Sequence, residues 1–259
     1  MSPEASESIV RDLTLDPHSL RPDIQVRWLV PIEKTDYLLL SPHLVYTSNW
    51  EVCLLRNWAN QSQARYGEVV ASTKARLADS LAALFKQPNL KASSIKKGLV
   101  DSKGKTVGDV DVAIFDKLAG YLVLAQVKWL IEPDSFQDES HAREEMGKGI
   151  VQLSNVADSF TNNKDWVIAQ VFPNAEVASD DIKEVDYFLI SHGNVTSVIE
   201  APSPRISMLD YQLSFDILKD SENLPLKERF GRVLRLHDEI RQISAKNVGY
   251  KMLATIGSR

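Results

Sequence analysis

Two short apolar stretches joined by a turn decide the fold of this chain: Val107-Gly-Asp-Val-Asp-Val-Ala-Ile-Phe-Asp116 and Tyr121-Leu-Val-Leu-Ala-Gln-Val-Lys-Trp129. Both are rich in β-branched and aromatic residues, which is typical of strands. Lys117-Leu-Ala-Gly120 lies between them and ends in a turn-forming glycine. The sequence therefore predicts a β-hairpin, from which the rest of the chain can be assigned.

Four polar side chains interrupt the apolar pattern of this hairpin. Asp109 and Asp111 should share one face of the first strand, because side chains two residues apart point the same way. Gln126 and Lys128 should share a face of the second strand for the same reason. Apolar packing does not require carboxylates, an amide oxygen and an ammonium to converge. Such a set is suited to holding a divalent cation beside a polarised water.

At these residues the chain resembles the PD-(D/E)XK nuclease superfamily, whose hallmark is an Asp on one strand and (Asp/Glu)-x-Lys on the next. Gly108-Asp-Val-Asp-Val112 is similar to the G-E-I-D-L strand of Holliday-junction-resolvase-like members. Gln126-Val-Lys128 is similar to the Q-x-K variant of Mrr-type restriction endonucleases. The resemblance covers roughly residues 64–192, about half of the chain. The chain departs from the pattern twice: no proline precedes Asp111, and a glutamine replaces the usual acid.

The resemblance implies metal-dependent hydrolysis of phosphodiester bonds. Asp111 would be the central ligand of Mg2+ or Mn2+, Gln126 would contribute its side-chain oxygen, and Val127 its main-chain carbonyl. Lys128 would orient or deprotonate the attacking water and stabilise charge in the transition state. We therefore expect an endonuclease acting on nucleic acid, with DNA as the first choice, in restriction, defence or repair.

A helix over about Ala64–Lys86 is the strongest helical prediction, because apolar residues and alanines recur there at helical spacing. Arg65-Tyr-Gly-Glu-Val-Val-Ala71 resembles the G-E-x-x-A start of the first core helix in resolvase-like nucleases, where the glutamate reaches the metal. The resemblance thus implies that Glu68 is a metal ligand and a member of the catalytic set. The alternative is an acid that only complements the helix dipole.

Two further polar residues are candidates for supporting the site. Asp109 shares a strand face with Asp111, although it could equally hydrogen-bond the turn. Gln152 lies on a helix predicted over about His141–Phe160. In Mrr-like nucleases a glutamine on this helix lies near the site, whereas an ordinary surface glutamine is the alternative.

A cluster of lysines precedes the first strand of the hairpin. The net charge of the chain is −5, but residues 91–105 contain five lysines and one acid. Phosphate binding needs local rather than global positive charge. We expect nucleic acid to contact four of these lysines, Lys96, Lys97, Lys103 and Lys105. The alternative is a solvated strand edge that lysines protect from aggregation.

Composition limits the class of protein. Hydrophobic residues make up 44% and charged residues 25% of the 259 residues, which is ordinary for a soluble globular protein. Apolar runs are too short to cross a bilayer, and the polar N-terminal sequence does not resemble a signal peptide. A single cysteine suits a reducing compartment, so we expect a cytoplasmic protein without membrane contacts.

The predicted elements run helix, three strands, helix, strand. That order matches the αβββαβ core implied by the resemblance: an α/β, restriction-endonuclease-like fold with a mixed sheet flanked by helices. Asp165–Val171 is predicted as an added strand. We expect an N-terminal elaboration over 1–61, the nuclease-like core over 62–206 and a mainly helical C-terminal extension over 207–259.

Two other functions stay open. Gln126 removes one negative charge from the metal site, which favours a catalytically inactive nuclease-fold domain that binds nucleic acid or protein. The other alternative is an interaction or regulatory module in which the polar hairpin is incidental. If the chain cuts both strands of a duplex, two sites are needed, and we would then expect a homodimer.

Overall fold

The computed structural model describes residues 2–15, 29–40, 50–95, 98–101, 103–130, 136–174, 177–192 and 205–256. The chain folds as two compact units, Met1–Ser72 and Thr73–Arg259. In the described part of the chain, no helix is long and apolar enough to span a membrane.

The first unit is a small helical assembly with one short hairpin. Its elements are α1 (Pro3–Leu13), β1 (Leu29–Pro31), β2 (Leu38–Leu40), α2 (Trp50–Gln61) and the start of α3 (Gln63–Ala83). Leu13 of α1 packs against Cys53 and Leu54 of α2, and all three are buried. Cys53 is thus a core residue, as its apolar sequence neighbours indicate.

The second unit holds the main sheet and most of the core. It contains the rest of α3, then β3 (Leu90–Ser94), β4 (Leu99–Val100), β5 (Thr106–Gly108), β6 (Val112–Asp116), β7 (Tyr121–Trp129), α4 (Phe136–Asn162), α5 (Lys164–Val171), β8 (Glu184–His192), β9 (Ile206–Asp210), α6 (Tyr211–Asp220) and α7 (Leu226–Ile256).

Five strands form one mixed sheet in the order β3-β6-β7-β8-β9. Neighbours are antiparallel from β3 to β7 and parallel from β7 to β9. Parallel neighbours need a crossover connection, which α4 and α5 provide between β7 and β8. The short hairpin β4–β5 is inserted between β3 and β6. The expectation of an α/β fold with a mixed sheet flanked by helices is therefore confirmed.

The central hairpin forms as the sequence predicts. β6 and β7 pair antiparallel with Val112 opposite Ala125. In the turn, Asp116 accepts backbone hydrogen bonds through its side chain, and Gly120 has a φ of +67°, which glycine adopts without strain. The first strand begins at Val112, later than Asp109, so both site aspartates lie in the segment that leads into β6.

Helices cover both faces of the hairpin, which explains why its strands are almost continuously apolar. Successive residues of each strand contribute to different cores. The core on the α4 face includes Ala113, Leu124, Met146 and Leu153. The core on the opposite face, the α3 face, includes Leu81, Val112, Ala125 and Phe230, so it is covered by α3 and α7.

One predicted strand is wrong. Asp165–Val171 lies in helix α5, which begins after Asn163, whose side chain accepts a hydrogen bond from Trp166 N at 3.2 Å. A short apolar run does not distinguish a buried strand from a buried helix turn. The buried positions follow helical spacing: Val167, Ile168 and Val171.

The two compact units divide within a helix, and the boundaries predicted from the sequence stay predictions. The division between the two units falls at Ser72/Thr73, inside α3. The boundary expected at 206/207 falls inside β9, which pairs with β8 and completes the sheet. Residues after 206 therefore contribute a strand as well as helices to the second unit.

The close approach of β5 to α4 yields a test of this packing. A Cβ added at Gly108 would lie 2.5 Å from Gln152 O and 2.6 Å from a methyl of Val156. Gly108→Ala should therefore lower the free energy of unfolding by about 1–3 kcal/mol, the usual cost of overpacking. Urea denaturation would measure the change.

Gly147→Ala is the matched control. Gly147 lies in α4, and a Cβ there would meet nothing within 4 Å, so alanine should stabilise the helix by up to about 1 kcal/mol. An unchanged urea midpoint in Gly108→Ala would show that β5 does not pack against α4 as described.

Candidate active site

The strand register brings three of the predicted site residues together. Val112 pairs with Ala125, Asp111 N donates to Ala125 O at 2.8 Å, and Asp111 Oδ2 accepts from Val127 N at 2.7 Å, so Asp111 is anchored to both backbone neighbours of Gln126. Gln126 and Lys128 continue the α4 face of β7 beyond Leu124. Asp109 Oδ2 accepts from Gln126 Nε2 at 3.2 Å. These polar residues therefore lie at the same end of the hairpin, and their roles in metal binding and catalysis stay predictions.

A lysine that the sequence analysis did not assign lies in the centre of the site. Lys74 of α3 places its ammonium 2.7 Å from Asp109 Oδ2 and 2.9 Å from Asp111 Oδ1. Lys74 precedes Ala78 by four residues and Leu81 by seven, so it shares the buried stripe of the helix. The signal in the sequence is a lysine on an otherwise apolar helix stripe, because a charged side chain at a buried position needs a partner of opposite charge.

Burial dominates the electrostatics of Asp111. Its side chain is only 8% exposed, and this burial raises the pKa of Asp111 to about 6. The negative charge of Asp109 acts in the same direction, whereas Lys74 and the hydrogen bond from Val127 N, at 2.7 Å, oppose it. The one lysine shared between two acids does not fully compensate the buried carboxylate.

Lys74 and Asp111 both have raised pKa values, although an ion pair usually lowers that of its acid. Burial, the largest effect on Lys74, lowers its pKa, but the two carboxylates outweigh it. Asp111 is more deeply buried than Lys74, whose side chain is 23% exposed, and it also faces the like charge of Asp109. The acid therefore carries most of the desolvation penalty.

Gln126 is fully buried and orients its amide differently from the expectation. Its Nε2 donates to Gln152 Oε1 at 2.7 Å and to Asp109 Oδ2 at 3.2 Å. An ionised carboxylate can only accept, so the amide turns its nitrogen towards Asp109. Among the described residues Gln126 Oε1 has no hydrogen-bond partner, and a Cβ at Gly149 would lie 3.2 Å from it. The oxygen thus faces α4 rather than Asp111.

Gln152 and Asp109 both belong to this network, as the sequence suggested for residues that support the site. Gln152 reaches Gln126 from α4, and Asp109 accepts from both Gln126 and Lys74. The alternative of an ordinary surface glutamine is therefore wrong for Gln152. These two side chains fix the orientation of the buried amide.

Lys128 lies between the sheet and α4. Its Nζ is 4.0 Å from Glu145 Oε2, and its side chain is 16% exposed. Burial is the main cause that lowers the pKa of Lys128, and the positive charge of Lys74 adds to it. A Cβ at Gly149 would lie 3.1 Å from Lys128 Cε, so glycine is what allows α4 to approach this closely.

The lysine-bearing hairpin adjoins the site through Asp109. A Cβ at Gly98, which precedes β4, would lie 4.0 Å from Asp109 Oδ1. Lys103 and Lys105 are exposed on the turn of the β4–β5 hairpin. Lys96 and Lys97 lie outside the described residues. The exposed flank of the site is thus next to a segment with positive charge.

Two predicted ligands remain untested. Glu68 is exposed on α3 and belongs to the first unit, so its contribution to the site stays a prediction. The part of α3 in the second unit covers the α3 face, whereas α4 covers the face that carries Gln126 and Lys128. Val127 contributes its N–H to Asp111, and metal binding by its carbonyl stays a prediction.

The donor atoms fit a hard divalent cation in chemical type. Two carboxylates and the buried, unpartnered oxygen of Gln126 are the ligands that Mg2+ prefers. Within the described ranges, however, no group of three or more His, Cys, Asp or Glu side chains is placed to hold a metal. A cation would therefore require Lys74 to leave Asp111 and the Gln126 amide to turn.

Comparison with protein-family models, with curated proteins and with solved structures finds no match to this chain.

The raised pKa of Asp111 predicts a pH dependence of stability. The folded protein binds a proton at Asp111 up to about pH 6, whereas an unfolded aspartate loses it near pH 3.9. The free energy of unfolding should therefore decrease as the pH rises from about 4 to 6, by up to about 3 kcal/mol from this group. Urea denaturation across this range would measure the slope.

Asp111→Asn should flatten this decline, because an amide keeps an oxygen for Val127 N and does not titrate. Asp158→Asn, which changes an exposed carboxyl, should retain the wild-type slope. Equal slopes in wild type and Asp111→Asn would contradict the assignment.

Proposed function

We propose that this protein is a metal-dependent endonuclease that hydrolyses phosphodiester bonds of nucleic acid, with DNA as the expected substrate. The observation that carries the proposal is the anchoring of Asp111 to Ala125 O and Val127 N, the backbone neighbours of Gln126, with Lys128 two residues further along β7. This is the arrangement that the PD-(D/E)XK resemblance implies. The mixed sheet, with one core helix before the hairpin and another after it, supports the same proposal.

Asp111, Asp109 and a turned Gln126 would hold a Mg2+ or Mn2+ ion. When bound, the ion would supply Lewis-acid stabilisation of charge on the scissile phosphate. The incompletely compensated carboxylate of Asp111 favours cation binding, because an added positive charge relieves its desolvation penalty. Gln152 would stay hydrogen-bonded to the Gln126 amide after that amide turns, and would so keep it oriented.

Lys128 is suited to handling the proton of the attacking water. Burial lowers its pKa, so the neutral amine that accepts a proton is more accessible than in a solvated lysine. Glu145, at 4.0 Å, holds the side chain in place from α4. Once protonated, Lys128 places a positive charge beside the developing negative charge of the phosphate.

The β4–β5 hairpin would guide the polymer to the site. Lys103 and Lys105 are exposed there, and the base of this hairpin adjoins Asp109. A phosphate backbone is attracted to such local clusters even when the whole chain is acidic, as it is here with a net charge of −5.

Binding without cleavage is the second candidate. Lys74 already pairs with both aspartates, and the nitrogen of Gln126, not its oxygen, faces Asp109. A site arranged in this way could be a structural remnant in a domain that only binds nucleic acid.

Cleavage assays separate the two candidates. With supercoiled plasmid and Mg2+ or Mn2+, the wild type should nick DNA, and Asp111→Ala or Lys128→Ala should lower the rate at least about 100-fold. Both variants should retain gel-shift binding, because they alter the reacting centre. Lys219→Ala, which removes an exposed lysine of α6, is the control and should cut normally.

Unchanged nicking by Lys128→Ala would contradict the assigned role of this lysine. Salt-dependent DNA binding without cleavage by the wild type would favour the binding domain. The absence of both would favour a protein-interaction module.

The missing acid at position 126 yields a separate prediction. Gln126→Glu places a carboxylate next to Asp109 and should tighten Mg2+ binding by on the order of 1 kcal/mol or more, because a charged donor replaces a neutral one. Isothermal titration calorimetry would measure the affinity. Gln212→Glu adds the same charge on α6 and should leave it unchanged. Equal or weaker Mg2+ affinity in Gln126→Glu would argue that this side chain does not face the cation.

A further inference from the structure

Lys74 is not part of the residue set that the PD-(D/E)XK pattern supplies, yet it contacts both of the site aspartates. We propose that Lys74 is an internal counter-ion that competes with the divalent cation for Asp109 and Asp111, so that cation binding requires its displacement. This inference rests on the proposed function, because it concerns the same metal site.

The competition follows from which oxygen atoms are free. Asp111 Oδ2 accepts from Val127 N at 2.7 Å, so Oδ1 is the oxygen that a cation would use. Lys74 Nζ lies 2.9 Å from that atom. On Asp109, the same ammonium lies 2.7 Å from Oδ2, which also accepts from Gln126. An ion bound to these oxygens at about 2.0–2.1 Å would lie in contact with the ammonium, where like charges repel.

Charge balance gives the same result. The two aspartates carry −2, and Lys74 with Lys128 carries +2, so these four side chains are neutral without a metal. A dication added to them would leave +2, and the swing of Lys74 out of the cluster reduces this to +1. Displacement of Lys74 thus lowers the like charge that a bound dication would meet.

Lys74 can leave without any change in the backbone. Its side chain is 23% exposed, so a route to solvent exists, and its four-carbon stem is flexible. Asp109, at 24% exposed, lies on the same open side of the site. The ammonium would move towards solvent on the side from which a polymer phosphate would approach.

Cation affinity tests the inference directly. Calorimetric titration of Mg2+ and Mn2+ into wild type and Lys74→Met, at one pH and salt concentration, should show at least about tenfold tighter binding in the variant, or 1.4 kcal/mol. Methionine keeps an unbranched stem and a good helix propensity. Lys148→Met removes the same charge from an exposed pair with Glu144 and Glu145, and should stay within about threefold of wild type because its charge is screened.

A second measurement uses the unaltered protein and does not depend on the folding of a variant. Acetylation by an N-hydroxysuccinimide ester, read by peptide mass spectrometry, reports how available each lysine is. Addition of Mg2+ should increase labelling of Lys74 at least severalfold, because the amine leaves its carboxylates. Labelling of Lys148 should not change.

The outcomes distinguish this inference from the proposed function. If wild type and Lys74→Met bind Mg2+ equally, or Mg2+ leaves Lys74 labelling unchanged, the competition is overturned while the metal site stands. If neither protein binds Mg2+ or Mn2+, both the competition and the metal-dependent function are overturned.

Discussion

The register of β6 against β7 is the constraint on which both the core and the site depend. With Val112 opposite Ala125, one set of alternating residues packs beneath α4 and the other beneath α3 and α7. A slip of one residue would exchange the two sets and move Gln126 and Lys128 under the wrong helices. Because helices cover both faces, such a slip would bury two polar side chains among apolar ones. The site residues are therefore held by the same forces that pack the core.

The site also shows how a buried cluster of charges is stabilised. Ionised carboxylates taken out of water need partners, and an isolated one would instead shift its pKa and become neutral. Asp111 shows part of each response, since it has a lysine partner and a raised pKa. Gln126 supplies N–H donors without adding negative charge, so the buried cluster holds one carboxylate fewer for the lysines to balance. A glutamate at that position would need one more positive charge nearby.

The elements that sequence could predict are those with strong local patterns. The hairpin and the two long helices α3 and α4 follow from periodicity, and the positions of Gln126 and Lys128 follow from strand alternation. The role of Lys74 could not be read in this way, because it depends on how far along the sheet α3 extends. The orientation of the Gln126 amide depends on the acceptors of Asp109 and Gln152, which only the folded chain brings together. The sequence predicts a strand where α5 forms because a short apolar run is compatible with either a strand or a buried helix turn.

The mixed character of the sheet has a consequence for how the site responds to damage. Asp109 and Asp111 lead into the antiparallel half, where a four-residue turn joins β6 to β7, but Gln126 and Lys128 lie beyond the last β6–β7 pair at Val112 and Ala125. They pair instead with Leu189 and Ser191 of the parallel strand β8. The hairpin contacts are close in sequence and form with little loss of chain entropy, whereas the pairing with β8 closes a long loop. A lesion in β8 would thus leave the β6–β7 turn intact and displace Gln126 and Lys128 from the two aspartates.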